Sequence, residues 1–152
     1  MIAKEKLNIL WSLEQTAEKY ADRVAVSDVN QELTWKELVK KAQIIGAELS
    51  EKVQPGNPVP VLLEKSSETL AVMLGIVYAG CFYVPVNPMN PTERLRKIME
   101  KLDPEVIISD EKGKEQLAAI GNGLENKVMG PEALKTATGT ELSEEQYSRL
   151  EQ

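Results

Sequence analysis

The stretch from Val59 to Arg94 leaves this chain little choice of fold. Residues 59–63 form a short apolar run behind Pro58, too short for a helix and suited to a strand buried on both faces. Ser66 or Ser67 caps a helix in which residues 70–79 are apolar on every side, and Gly80 stands where a left-handed residue closes a helix. A helix with no polar face must be covered on both sides. Residues 82–86 then read as a second buried strand. Short connections within such a β-α-β unit make the two strands parallel and the crossover right-handed. Pro85 has no N–H to give to a ladder, so the second strand ends there or lies at a sheet edge.

The rest of the chain extends that unit. Residues 8–20 carry Leu10, Leu13, Ala17 and Tyr20 at helical spacing, which predicts an amphipathic helix. Residues 24–27 and 32–34 flank Asp28-Val-Asn-Gln31, a hairpin turn. Thr34 and Glu37 make a capping box for a helix whose stripe is Leu38, Ala42, Ile45 and Leu49. Gln54-Pro-Gly-Asn-Pro58 breaks the chain before the central unit. Asn90, Pro91 and Glu93 start a further helix with the face Leu95, Ile98, Met99 and Leu102, stopped by Asp103-Pro104. Residues 106–109 read as a third parallel strand, and Asp110 caps a helix ended by Gly121. Residues 127–129 give a last short strand and residues 131–135 a single helical turn. This alternation predicts an α/β fold, a mainly parallel sheet with helices on both faces plus a short N-terminal hairpin. Residues 1–135 form the body. Residues 136–152 are acidic, with Ser143 and Gln146 set to cap a short helix, and are expected to be mobile or borrowed by a neighbour.

Composition narrows the chemistry. The 152 residues carry a formal charge of -6 and no basic stripe, which argues against nucleic acid or an anionic membrane as the main partner. The longest apolar run, residues 70–79, is far short of the ~20 residues of a membrane crossing. Lys4, Glu5 and Lys6 are followed by no apolar leader, so a cytoplasmic location is expected. The single cysteine, Cys81, fits a reducing compartment and a packed core thiol. With no histidine in the chain, Ser-His-Asp and Cys-His mechanisms and histidine metal sites are excluded.

Five segments in order resemble the opening of the adenylate-forming ligases: Leu33-Thr-Trp-Lys-Glu-Leu38, Val61-Leu-Leu-Glu-Lys-Ser66, Leu74-Gly-Ile-Val-Tyr-Ala-Gly80, Tyr83-Val-Pro-Val-Asn-Pro88 and Pro91-Thr-Glu-Arg-Leu95. The resemblance covers residues 8 to 110. It is strongest to amino-acid-activating adenylation domains of non-ribosomal peptide synthetases and to D-alanine–carrier-protein ligases. It implies a parent that attacks the α-phosphate of Mg-ATP with a carboxylate, forms an acyl-adenylate and passes the acyl group to the thiol of a carrier protein or coenzyme A. The family's phosphate loop, aromatic-Gly-x-Thr-Glu segment, ribose-binding aspartate and lid lysine have no counterpart in this chain. No catalytic, cofactor-binding or metal-binding residue is therefore assigned to it, and Mg-ATP is implied for the parent alone. Asn87 stands where the family more often has aspartate, in a scaffold turn.

Several residues imitate a site. Thr136-Ala-Thr-Gly-Thr140 looks like the start of a phosphate loop, but Glu141-Leu-Ser-Glu-Glu145 follows, with no second glycine and no lysine. Glu64 and Lys65 stand at a strand end, where adjacent opposite charges are mostly solvated. Lys112 and Lys114 follow another strand, in a region that coenzyme-A-using relatives turn toward the nucleotide, and no arginine here matches those relatives. Trp11 and Trp35 read as packing residues. No Gly-x-Gly-x-x-Gly or Gly-Lys-Ser/Thr loop supports an unrelated nucleotide-binding fold. Two expectations remain. The chain is a truncated N-terminal subdomain, inactive alone, whose partner is the rest of the ligase. Alternatively, it is a naturally short, non-catalytic module that binds or self-associates through the face where the missing part would dock.

Overall fold

The computed structural model describes residues 8–135 and 142–150. Helix α1 (Ile9–Lys19) is followed by the antiparallel hairpin β1 (Val24–Ser27) and β2 (Glu32–Thr34), then α2 (Trp35–Ser50). Strands β3 (Pro58–Leu62), β4 (Phe82–Pro85), β5 (Ile107–Ser109) and β6 (Val128–Met129) form one parallel sheet in the order β4-β3-β5-β6. Between them run α3 (Ser67–Tyr78), α4 (Thr92–Leu102) and α5 (Glu111–Ile120), with α6 (Pro131–Lys135) and α7 (Glu144–Leu150) at the end.

The central strand contains prolines, which a central ladder normally rejects. The N–H groups of Phe82 and Val86 donate to the carbonyls of Asn57 and Val61. Peptide groups alternate sides along a strand, so Pro58 and Pro60 direct their missing N–H away from β4. On that other side β5 pairs only with Val61 and Leu62, beyond both prolines.

Side-chain alternation along β3 and β5 splits the interior in two. Val59, Val61 and Ile108 join the stripes of α1, α2 and α3, including Leu10, Leu38, Leu49 and Ile76. Leu62 and Ile107 join Leu95 and Met99 of α4, Leu117 of α5 and Leu124. Both faces of the sheet centre are thus covered, as its apolar sequence requires. Helices α2 and α3 cross at Gly46 and Gly75, where a Cβ on Gly75 would lie 2.4 Å from Ile45 Cγ2 and one on Gly46 2.5 Å from Tyr78 Cβ. The apolar sides of α3 are consumed by this contact and by the sheet.

Two local expectations are corrected. Strand β4 is not buried: Phe82 is 51% and Tyr83 40% exposed, because the strand lies at the sheet edge and ends at Pro85. Helix α4 begins one residue later than the Asn-Pro pattern predicts, with Pro91 as its cap and no side-chain capping bond. Asn90 instead gives its N–H to the Asn87 carbonyl, and Glu93 pairs with Arg96 of its own helix. The Ser143–Gln146 capping box forms, and the Gln146 side chain also bonds to α2 of its own chain.

Candidate functional site

In open parallel sheets, ligands sit beyond the C-terminal ends of the strands, where helix N-termini aim unpaired N–H groups. Helix α3 leaves β3 at that end. Its cap Ser66 accepts from the Thr69 N–H at 3.1 Å, as the sequence allows. The next amide is taken by a distant residue: Asp28 Oδ2 accepts the Ser67 N–H at 2.8 Å and the Ser67 hydroxyl at 2.7 Å. The other oxygen of Asp28 holds its own turn, accepting from Asn30 and Gln31 N–H at 2.8 and 3.0 Å. Gln31 Nε2 then donates to Ser67 Oγ and Glu68 Oε1, and Lys41 pairs with Glu68. The Ser67 amide and hydroxyl, with the two turn amides, hold the Asp28 carboxyl well below the usual carboxylate range.

Helix α5 repeats the arrangement locally. Asp110 Oδ1 accepts the Gly113 N–H at 2.8 Å, and a Cβ on Gly113 would meet Ser109 Oγ at 2.0 Å, so strand and helix are in near contact. After β4, Asn87 Oδ1 accepts the Met89 N–H at 2.9 Å, which makes this residue part of a turn as the family pattern implies. The anion seats at the ends of β3 and β5 are therefore filled by the chain's own carboxylates. A triphosphate approaching them would meet negative charge, so these residues do not fit Mg-ATP. Among the described residues no group of three or more His, Cys, Asp or Glu side chains could hold a metal ion.

Glu64 and Lys65 are exposed, and the Glu64 carbonyl accepts the Thr69 hydroxyl. Lys112 is exposed and Lys114 half-buried in the first turns of α5. Trp11 and Trp35 pack against the core beside α1 and α2. Cys81 is buried, and its desolvated thiol is pushed above the ordinary value. The Thr136–Thr140 decoy lies outside the described residues.

The prominent open surface is β4. Register pairs Tyr83 with Val59 and Val84 with Pro60, so successive β4 side chains emerge on opposite faces. Phe82 and Tyr83 are both exposed, so cover is incomplete on both faces of this strand, while Val84 packs against the cluster of α4 and α5. Met89, just beyond it, is 73% exposed. Along the outer edge Tyr83 presents an N–H, whereas Pro85 has none, which limits pairing with a further strand. A separate open groove of about 540 Å³ lies between α1 and α2, lined by Glu14, Lys36, Lys40, Gln43 and Tyr147, away from the strand ends.

The profile of the AMP-binding enzyme family matches residues 13–150. A mycosubtilin synthase polypeptide of Bacillus subtilis is 36% identical over 113 residues, 74% of this chain and 4% of its own length. Bacitracin synthase 1 of Bacillus licheniformis is 37% identical over 107 residues, 70% of this chain and 2% of its own. The chain thus spans a small part of the curated relatives it matches. In three dimensions it is similar to the N-terminal subdomain of Klebsiella oxytoca NpsA, with a TM-score of 0.76 at 21% identity, over 90% of this chain and 33% of that one. That likeness is one of fold, and it agrees with the helix-flanked parallel sheet and its hairpin. With the family profile spanning nearly all of the described residues, the chain belongs to the AMP-binding enzymes and corresponds to the N-terminal part of an adenylation domain of the non-ribosomal peptide synthetase type.

Proposed function

We propose that residues 1–135 are the N-terminal subdomain of an ATP-dependent acid–thiol ligase, followed by an acidic segment at 136–152, and that this chain alone does not activate its acid. The parent would join an amino acid or other carboxylic acid to the AMP moiety of Mg-ATP and hand the acyl group to the thiol of a carrier protein or coenzyme A, in the cytoplasm. Among the described residues no helix is long and apolar enough to cross a membrane, which agrees with that setting. The observation that carries the reading is the closure of both helix N-termini at the strand ends by Asp28 and Asp110. Phosphate binding and charge neutralisation, the demanding part of adenylation, must then come from elsewhere in the parent. Amino-acid-dependent ATP–pyrophosphate exchange tests this directly. No exchange above a protein-free blank is expected, and clear turnover by these 152 residues would overturn the reading.

The exposure of β4 on both faces favours a second reading, a non-catalytic module that binds through this edge. In the first reading the same edge is covered by the rest of the ligase. Sedimentation and hydrophobic-dye binding separate a self-associating module from a well-behaved monomer.

A further inference from the structure

Helix α7 is seven residues long, well below the length at which an isolated helix is stable in water. It nevertheless carries a complete capping box: the Ser143 N–H donates to Gln146 Oε1 at 2.8 Å and the Gln146 N–H to Ser143 Oγ at 3.2 Å. The same Gln146 side chain also reaches another helix. Its Nε2 donates to Ser50 Oγ at 2.7 Å and to the Ala47 carbonyl at 3.4 Å, both in the last turn of α2. One residue therefore completes the start of α7 and fastens it to α2, so forming the helix and docking it are a single event.

The next residue ties in α1. Tyr147 Oη accepts from Gln43 Nε2 at 2.9 Å and lies 3.5 Å from Glu14 Oε1. Glu14, 6% exposed, accepts the Tyr78 hydroxyl at 2.9 Å, and Gln43 Nε2 is 3.4 Å away. This carboxylate joins α1, α2 and α3, and α7 closes over it. Leu142, buried before the cap, and Tyr147, at the fourth helical position, occupy the two places of a hydrophobic staple, and both pack with the core cluster that contains Leu10 and Leu13 of α1.

We propose that residues 142–150 are a clasp that folds as it docks and holds α1 against α2, so that the two ends of the described chain open and close as one unit, separately from the sheet. Units of this kind open with free energies below that of global unfolding and are read by amide exchange. In the full chain, Gln146→Ala removes the docking bonds together with the side-chain half of the capping box, leaving the backbone N–H of residue 146 on Ser143 Oγ, and Tyr147→Phe removes the hydroxyl's links to Gln43 and Glu14 while keeping the ring. Each is expected to speed amide exchange across residues 9–19 by about tenfold, the loss of roughly one net hydrogen bond, with β3 and β5 unchanged. Gln146→Ala should also deprotect residues 144–150, more than Tyr147→Phe does. Unchanged protection of α1 in both variants would overturn the proposal. So would an equal loss of protection across β3 and β5, since the segment would then belong to the global core.

Discussion

A single carboxylate links two parts of the chain that sequence treats separately. Asp28 reads as an ordinary turn residue, and its short-range bonds to Asn30 and Gln31 are what such a turn predicts. Its bonds to Ser67, thirty-nine positions away, are invisible to pattern and fix the hairpin against the N-terminus of α3. Asp28→Asn keeps one acceptor but replaces the other with an amide NH₂, which cannot accept from Ser67. Thermal unfolding near neutral pH should show a lower melting temperature for this variant, and an unchanged one would remove Asp28 from the latch. The pH dependence has a definite sign. The Asp28 pKa is depressed in the fold, so its contribution is fully present above the ordinary carboxylate value of about 4 and fades as pH falls through the lower folded value. The melting-temperature gap between wild type and variant should accordingly hold from about pH 7 to about pH 5 and narrow at lower pH. Glu37, whose pKa is lowered by the Thr34 N–H it accepts, titrates in the same direction in both proteins and cancels in that difference.

At the scale of elements, legibility follows the range of the interaction that decides each feature. The Thr34–Glu37 box, the Asp110 cap and the positive φ of Gly80 and Gly121 are settled within a few residues, and sequence places all of them. Edge and centre are not local properties. In the run 82–86 only Pro85 points to an edge, as one of two alternatives, and it is the strand order that exposes Phe82 and Tyr83. The closure of the α3 N-terminus by Asp28 is likewise not legible locally. The α2–α3 crossing is a further non-local feature. Adding a methyl at Gly75 gains up to about 1 kcal/mol of helix propensity, but it drives a Cβ to 2.4 Å from Ile45 Cγ2 and 3.1 Å from the Ala42 carbonyl. Backbone and β-branched neighbours cannot yield, so Gly75→Ala should cost about 1–3 kcal/mol in denaturant titration. Gly46→Ala meets Tyr78 Cβ and the Gly75 carbonyl and should cost about the same. The two contacts lie in one crossing, so the double variant should lose less than the sum. Wild-type stability in either single variant would mean that the helices can part freely.

For the whole molecule, the contrast between a sheet centre buried on both faces and an edge that exposes an aromatic side chain on each face sets the expected solution behaviour. Val59, Val61, Ile107 and Ile108 are nearly inaccessible, while Phe82 and Tyr83, one strand away, are open to water on opposite sides. If the rest of an adenylation domain normally covers this edge, its apolar surface should drive weak association of the isolated chain. Sedimentation at rising protein concentration should reveal reversible oligomers, accompanied by hydrophobic-dye fluorescence. Replacing Phe82 with Glu and Tyr83 with Lys places charge on both faces of the edge without touching either core, and should abolish both signals while leaving the melting temperature nearly unchanged. Association that persists in the double variant would locate the contact elsewhere, with the groove between α1 and α2 the next surface to alter. A wild-type chain that stays monomeric and dark to the dye would show that Pro85 and the short, twisted edge already suffice to keep β4 unpaired, and would count against a module that works by self-association.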